Sequence, residues 1–115
     1  MSKIDVLFVG CGLKPEVMTI INDLQSYQEL VDGWIQTVYC YKRKYVLVCN
    51  EEGMMLHLPP NARLDYQDGE YWTTIYGDFF IASLIETEDG EDFGSIDEED
   101  IPYMLEHIHL IGKRY

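Results

Sequence analysis

The stretch WIQTVYCYKRKYVLVC, residues 34–49, contains two runs of aromatic, β-branched and apolar residues on either side of three basic residues. Such runs are typical of β-strands, and a short polar segment between two of them is typical of a hairpin. We therefore predict strands over 34–41 and 45–49, joined by a turn at 42–44. A mainly antiparallel sheet is the expected core of the fold.

Further elements are predicted on both sides of this hairpin. The apolar runs at 4–9 and 79–85 favour strands. From Pro15 to Val31 apolar residues recur at helical spacing, and Gly33 is a natural stop for a helix there. A last helix is expected to begin near Asp97 and to carry Ile101, Met104, Leu105, Ile108 and Ile111.

The segments between these elements are predicted to be turns and loops. Asn50 to Gly53 should form a turn, followed by a short strand over 54–58. Pro59-Pro60-Asn61 should end regular structure, because proline cannot donate to a strand ladder. The polar residues 63–74 predict a loop, and 87–92 an acidic turn around Asp89-Gly90.

Length and composition limit the class of protein. A chain of 115 residues with 47% apolar residues is expected to fold as one domain over 1–115. No basic segment leads into an apolar run, and no run approaches the roughly 20 apolar residues that span a bilayer. We therefore expect a cytoplasmic α+β protein: a single compact domain, mainly antiparallel sheet, with one N-terminal and one C-terminal helix and no membrane partner.

Charge is the most unusual property of the sequence. Twenty-one acidic residues oppose eight lysines and arginines, which gives a net charge of −13. A chain with this charge is repelled by nucleic acid, so we expect no direct nucleic-acid partner. Basic proteins are the favoured partners.

Nine of these acids fall within residues 86–100, and no lysine or arginine occurs between Arg63 and Lys113. Asp97 to Asp100 suit a helix N-terminus, where negative charge is stabilising. No such structural role explains the acids of the preceding turn, Glu86, Glu88, Asp89, Glu91 and Asp92. Two interpretations stay open: a binding face for a basic partner, or a solubilising loop.

Aromatic residues are the second indication of an interaction surface. They make up 13% of the chain, and several flank the basic turn or fall in polar sequence: Tyr39, Tyr41, Tyr45, Tyr66, Tyr71, Trp72 and Tyr76. Exposed tyrosine and tryptophan are favoured interface anchors, although any single one more often covers the core. This aromatic content is also compatible with a homodimer.

Cys49 and His57 raise the question of nucleophilic catalysis. A hairpin around the turn at 50–53 would bring them near each other, as a nucleophile and its base require. However, Cys49 lies in an apolar run and is followed by two carboxylates, which raise the pKa of a thiol. We therefore expect a buried cysteine and no catalytic residue.

Disulfide, metal and cofactor sites are also not expected. If the turn at 42–44 is tight, Cys40 lies opposite Tyr45 or Val46, and Cys49 opposite Gln36 or Thr37, too far apart for a disulfide. Histidine and cysteine spacing matches no zinc site, and the acidic turn lacks the spacing of a calcium loop. No phosphate-binding glycine pattern is present.

Four segments carry a resemblance to a known family: Leu30-Val31-Asp32-Gly33, Cys49-Asn50-Glu51-Glu52-Gly53, Leu58-Pro59-Pro60-Asn61 and Gly77-Asp78-Phe79-Phe80. Together they resemble an uncharacterised domain-of-unknown-function family of small proteins from phages, plasmids and conjugative elements, mostly of Firmicutes. The resemblance covers nearly the whole chain. It implies a mobile-element setting, where counter-defence genes are frequent neighbours, and it implies no activity.

Two hypotheses from different classes follow. The first is an acidic interaction protein, a counter-defence inhibitor that binds a basic, nucleic-acid-handling host protein through Glu86, Glu88, Asp89, Glu91 and Asp92. The alternative is a small-ligand-binding module with a pocket near 49–61. The residues expected at the rim of that pocket are Asn50, Glu51, Gly53, Pro59, Pro60 and Asn61.

Overall fold

A six-stranded antiparallel sheet forms the middle layer of the protein. The computed structural model describes residues 2–40, 44–65 and 72–115. The strands of this first sheet are β1 (Lys3–Val9), β2 (Glu16–Ile21), β3 (Ile35–Cys40), β4 (Tyr45–Asn50), β7 (Phe79–Thr87) and β8 (Gly90–Gly94). They follow the order β2-β1-β7-β4-β3, and β8 pairs with β7. Every pairing in the sheet is antiparallel.

A smaller sheet and two short helices cover the two faces of the first sheet. The second sheet has the order β6-β5-β9, formed by β5 (Pro60–Asp65), β6 (Trp72–Tyr76) and β9 (Ile108–Leu110). The helices are α1 (Leu24–Val31) and α2 (Ile101–Glu106), and a 3-10 turn at Glu98–Asp100 precedes α2. None of the described helices is long and apolar enough to cross a membrane.

The core lies on both faces of β4, whose six residues are all buried. Tyr45, Leu47 and Cys49 belong to the cluster shared with the second sheet and α2. Val46 and Val48 point to the opposite face and belong to the cluster under α1. The alternation of side chains along a strand explains this division. The protein therefore has three layers, and the predicted α+β class, mainly an antiparallel sheet, is confirmed.

The hairpin predicted at 34–49 is present with the expected register. Cys40 lies opposite Tyr45, and Cys49 lies opposite Gln36. Cys40 and Cys49 are therefore far apart along the ladder, as predicted. Tyr41, assigned to the first strand, and Lys42 and Arg43, assigned to the turn, lie outside the described residues.

The long N-terminal helix predicted from Pro15 is wrong in its first half. Residues 16–21 form β2, which pairs along its whole length with β1. Val17, Thr19, Ile20 and Ile21 favour a strand because their branched side chains restrict χ1. The helix begins only at Leu24, after Asp23 has capped it by accepting a hydrogen bond from Ser26 N at 2.8 Å.

The predicted stop of this helix near Gly33 is confirmed. Asp32 adopts a left-handed conformation with φ 59° and ends α1, and Gly33 follows with φ 154°. A side chain at Gly33 would place Cβ only 2.7 Å from Nδ2 of Asn50. Close packing of Asn50 against the helix end therefore requires glycine here.

Two predictions around the proline pair are wrong. Residues 54–58 form no strand, because they continue helical turns in which Leu56 N donates to Glu52 O at 2.8 Å. The Pro59-Pro60-Asn61 segment does not end regular structure, since β5 begins at Pro60. Proline is tolerated there because it is the first residue of the strand, at a register irregularity before Ala62.

The polar segment predicted as a loop at 63–74 contains the end of β5 and the start of β6, and its middle, 66–71, lies outside the described residues. The C-terminal helix is shorter than predicted and ends at Glu106. Residues 108–110 form β9 on the other side of β5. The predicted helix would contain both His107 and His109, whereas His107 follows the last residue of α2 and His109 lies in β9.

Candidate functional site

The β7–β8 hairpin of the first sheet extends beyond the ends of its pairing with β1 and β4. β7 pairs with β1 as far as Ile81 and with β4 as far as Ser83. Beyond that point its ladder continues with β8, from Ser83 opposite Gly94 to Thr87 opposite Gly90. We call residues 84–93 the acidic hairpin.

All five acids predicted as a binding face lie on the acidic hairpin and are exposed: Glu86, Glu88, Asp89, Glu91 and Asp92. Glu86 lies directly opposite Glu91, and Glu88 and Asp89 form the turn. The acidic turn predicted over 87–92 is shorter than expected, because 90–92 belong to β8. Gly90, with φ 114°, supplies the backbone conformation that the tight turn needs.

Aromatic and amide contacts hold the base of this hairpin against α1. The rings of Tyr27 and Phe93 lie 5.0 Å apart, and Asn22 Nδ2 donates to Phe93 O at 3.2 Å. The Tyr27 hydroxyl donates to Asn22 Oδ1. Burial, with the charge of Asp92 as a smaller cause, raises the pKa of Tyr27 to about 12. The base of the hairpin that bears the carboxylates is therefore fixed against the rest of the protein.

Two of the acids at 97–100, Asp97 and Asp100, have structural roles, as expected for a helix start. The Asp97 side chain accepts from Glu99 N at 3.1 Å. Asp100 accepts from the Tyr45 hydroxyl and from Lys44 Nζ at 3.1 Å, and these hydrogen bonds lower the pKa of its carboxyl. Tyr45 is buried, so of the two alternatives considered for the aromatic residues it belongs to the core and is not a surface anchor.

The residues predicted to form the rim of one pocket do not lie together in the structure. Asn50, Glu51 and Gly53 border a cleft of about 510 Å³ between the two sheets. Pro59 borders a separate hollow of about 200 Å³ beside Cys11 and Asp78. Pro60 starts β5, and Asn61 is 1% exposed, with its side-chain amide donating to Val9 O and Gly77 O at 2.9 Å each.

Asn50 is a structural residue at the edge of this cleft. Its Nδ2 donates to Val31 O at 3.1 Å and to Asp32 O at 3.0 Å, two carbonyls at the end of α1. Its Oδ1 accepts from Glu52 N at 2.7 Å and starts the turn that follows. A single buried amide therefore joins α1, β4 and the wall of the cleft.

The geometry of Cys49 does not favour a nucleophile. Its side chain is buried in the core, and this burial raises the pKa of the thiol to about 11. His57 is exposed and lies in a left-handed turn with φ 57°. Among the described residues no three histidine, cysteine, aspartate or glutamate side chains come together in a group that could hold a metal ion.

An exposed apolar segment at the end of the cleft was missed by the sequence analysis. Met54, Met55 and Leu56 are 67%, 74% and 55% exposed, and Trp34 is 66% exposed. Trp34 O accepts from Glu51 N at 2.8 Å, which joins it to the same turn. The available signal was three successive apolar residues directly after a polar turn.

Fold and site together define an acidic α+β protein of two antiparallel sheets, with a carboxylate-rich hairpin and a cleft between the sheets. A family model described as "Domain of unknown function (DUF3846)" matches residues 4–109, and the chain belongs to this family. The predicted membership of an uncharacterised domain-of-unknown-function family is thereby confirmed. No curated protein and no solved structure is significantly similar to the chain.

Proposed function

We propose that the protein is a non-catalytic interaction protein whose acidic hairpin binds a basic surface of a partner protein. The observation that supports this most directly is the exposure of five carboxylates on one hairpin, two of which, Glu86 and Glu91, lie directly opposite each other. Like charges directly opposite each other destabilise an antiparallel ladder. A cationic partner surface that contacts both carboxylates would offset this cost.

The partner class follows from charge and from the mobile-element setting that the family resemblance implies. A basic surface on a host protein that handles nucleic acid is adapted to bind phosphates. Carboxylates on a projecting hairpin can occupy such a surface in place of the phosphates and block it. We propose that this occurs in the host cytoplasm and that the result is inhibition of a host defence protein. Electrostatic attraction of this kind speeds association and weakens as salt increases.

Affinity capture from host lysate tests this proposal. Tagged protein is used as bait at low and at high salt, and the captured proteins are identified by mass spectrometry. A variant with E86Q, E88Q, D89N, E91Q and D92N is the second bait. We expect one nucleic-acid-handling protein that is captured by the wild type at low salt and lost at high salt and with the variant. Equal capture by both baits would contradict the proposal.

The cleft supports a second candidate function, a small-ligand-binding module. Its volume of about 510 Å³ lies within the range of ligand pockets. Tyr76 is the one aromatic residue among its lining residues in the described part of the chain. Mass spectrometry of the purified protein under native and denaturing conditions tests this function. A small molecule that is released on denaturation would favour the ligand module.

A further inference from the structure

The cleft lies between the outer strands of the two sheets. β3 is the last strand of the first sheet, and β6 is the last strand of the second. Within the described ranges β6 pairs with β5 on one side, and no strand pairs with its other side. Such an edge presents backbone N–H and C=O groups that another chain can pair with.

The lining residues show which of the two strands turns its edge toward the cleft. β3 contributes Gln36 and Val38, two residues apart, so one face of β3 borders the cleft. β6 contributes four successive residues, 73–76. Because successive side chains of a strand point to opposite faces, a cavity bordered by four in a row meets the edge of the strand. The backbone of β6 is therefore the wall that can form hydrogen bonds.

The residues of the other walls indicate what kind of ligand the cleft would bind. Val38 and Ile75 give the cleft an apolar floor that continues into the core. Glu51 lies at one end with the exposed Glu52 beside it, and the lining residues that the structure describes include no lysine, arginine or histidine. Met54 extends the same wall into the exposed apolar segment 54–56. Methionine adapts its shape to different partners.

We propose that this cleft binds an extended peptide segment of a partner protein, which pairs with the edge of β6 as an additional strand. The segment carries an apolar side chain over Val38 and Ile75 and a basic side chain beside Glu51. Main-chain hydrogen bonds to β6 supply affinity, and alternate side chains supply specificity. This surface is separate from the acidic hairpin, and the inference does not depend on the function proposed for the hairpin.

Two tryptophan substitutions on β3 form a matched pair for the test. Gln36 is exposed and borders the cleft, so Gln36→Trp fills its mouth. Thr37 is the next residue, is also exposed, and points to the other face of the strand. Thr37→Trp therefore adds the same side chain to the same strand without entering the cleft.

The experiment uses a phage-displayed library of random linear peptides, selected on the full chain. An enriched peptide is synthesised, its affinity for the three proteins is measured, and amide hydrogen exchange is followed by NMR on isotope-labelled protein. We expect an apolar peptide with at least one lysine or arginine. Binding should be at least about tenfold weaker for Gln36→Trp and unchanged for Thr37→Trp. The peptide should slow exchange at alternate amides within 73–76, as a new ladder requires.

Three results would overturn the inference. The first is the absence of any peptide enriched on the wild type over Gln36→Trp. The second is a bound peptide that leaves amide exchange in β6 unchanged, which would place it elsewhere or in another conformation. The third is a resident small molecule in the cleft that is absent from purified Gln36→Trp.

Discussion

Glu86 and Glu91 face each other across the ladder of β7 and β8, on the part of the hairpin that extends beyond the pairing of β7 with β1 and β4. Leu84 and Phe93, two residues nearer the base, pack with the cluster under α1. The alternation of side chains places both glutamates on this same face of the hairpin. The acidic hairpin therefore has a base that packs against the protein and, further out, two like charges that face each other.

Removing this repulsion should stabilise the fold. We expect Glu86→Gln to raise the free energy of unfolding by about 0.2–1 kcal/mol at low salt, because a like-charge cross-strand pair is lost. The gain should shrink as salt increases. Urea denaturation at two salt concentrations measures this change in the free energy of unfolding. Glu16→Gln is the control, since Glu16 is also an exposed strand residue but lies opposite Phe8. Equal effects of the two changes would contradict the prediction.

Asn50→Ala should be strongly destabilising. The substitution removes the donors to Val31 O and Asp32 O and the acceptor for Glu52 N. The bond to Val31 O is buried and the other two are part-buried, and leaving a buried group without a partner costs about 1–3 kcal/mol. Urea denaturation measures the loss, with Gln36→Ala, an exposed amide on β3, as the control. A loss no larger than that of the control would show that Asn50 does not hold the end of α1.

Asp100 should make stability depend on pH at the acidic end. Hydrogen bonds from Tyr45 and Lys44 lower the pKa of Asp100 below its ordinary value of 3.8. The stability that ionised Asp100 adds to the folded protein is therefore fully present above the ordinary pKa. It is lost as the pH falls through the lower pKa of the folded state. We expect the difference in Tm between wild type and Asp100→Asn to be constant from pH 7 to about pH 5 and to shrink below about pH 4.

Thermal unfolding followed by circular dichroism provides this measurement. Asp89→Asn, at the exposed tip of the acidic hairpin, makes the same change of charge and serves as the control. A Tm difference for Asp100→Asn that persists unchanged through the acidic range would exclude an ionised Asp100 as its source.

Cys49 should react slowly with alkylating reagents in the folded protein. With a pKa of about 11, only about one thiol in a thousand is ionised at pH 8. We expect alkylation by iodoacetamide to be at least about a hundredfold slower in the native protein than in denaturant. Mass mapping of the peptide that contains Cys49 measures the rate. Rapid labelling of native Cys49 would indicate an activated thiol and reopen the catalytic interpretation.

The strands that were predicted correctly are those whose own residues strongly favour a strand. The runs at 4–9, 34–41, 45–49 and 79–85 contain enough apolar and β-branched side chains to indicate buried strands. Even the register of Cys40 and Cys49 followed from the shortness of one turn. Helical spacing in 15–31 was misleading because Val17, Ile20 and Ile21 suit a strand equally well once β1 is available for pairing.

The second sheet could not be predicted because one of its two pairings, β5 with β9, is distant in sequence. β5 and β9 are separated by more than forty residues, and neither has a strong apolar run. For the same reason the cleft was not foreseen as a gap between the outer strands of two sheets. The acids of the hairpin could be predicted as exposed from their charge alone. Asn61 is buried because its side-chain amide donates hydrogen bonds to Val9 O and Gly77 O, and these partners cannot be identified from sequence.

The most direct test of the hairpin's role is the salt dependence of its binding to the captured basic partner. Wild type is compared with the variant neutralised at 86, 88, 89, 91 and 92, and with E16Q/E29Q/E98Q/E99Q/E106Q. Both variants lose five exposed carboxylates, so the net charge of each changes from −13 to −8. Isothermal titration at several salt concentrations gives Kd and its salt slope. We predict that the hairpin variant loses affinity and most of the slope while the control keeps both. Equal losses in the two variants would show that overall charge, and not the hairpin, attracts the partner.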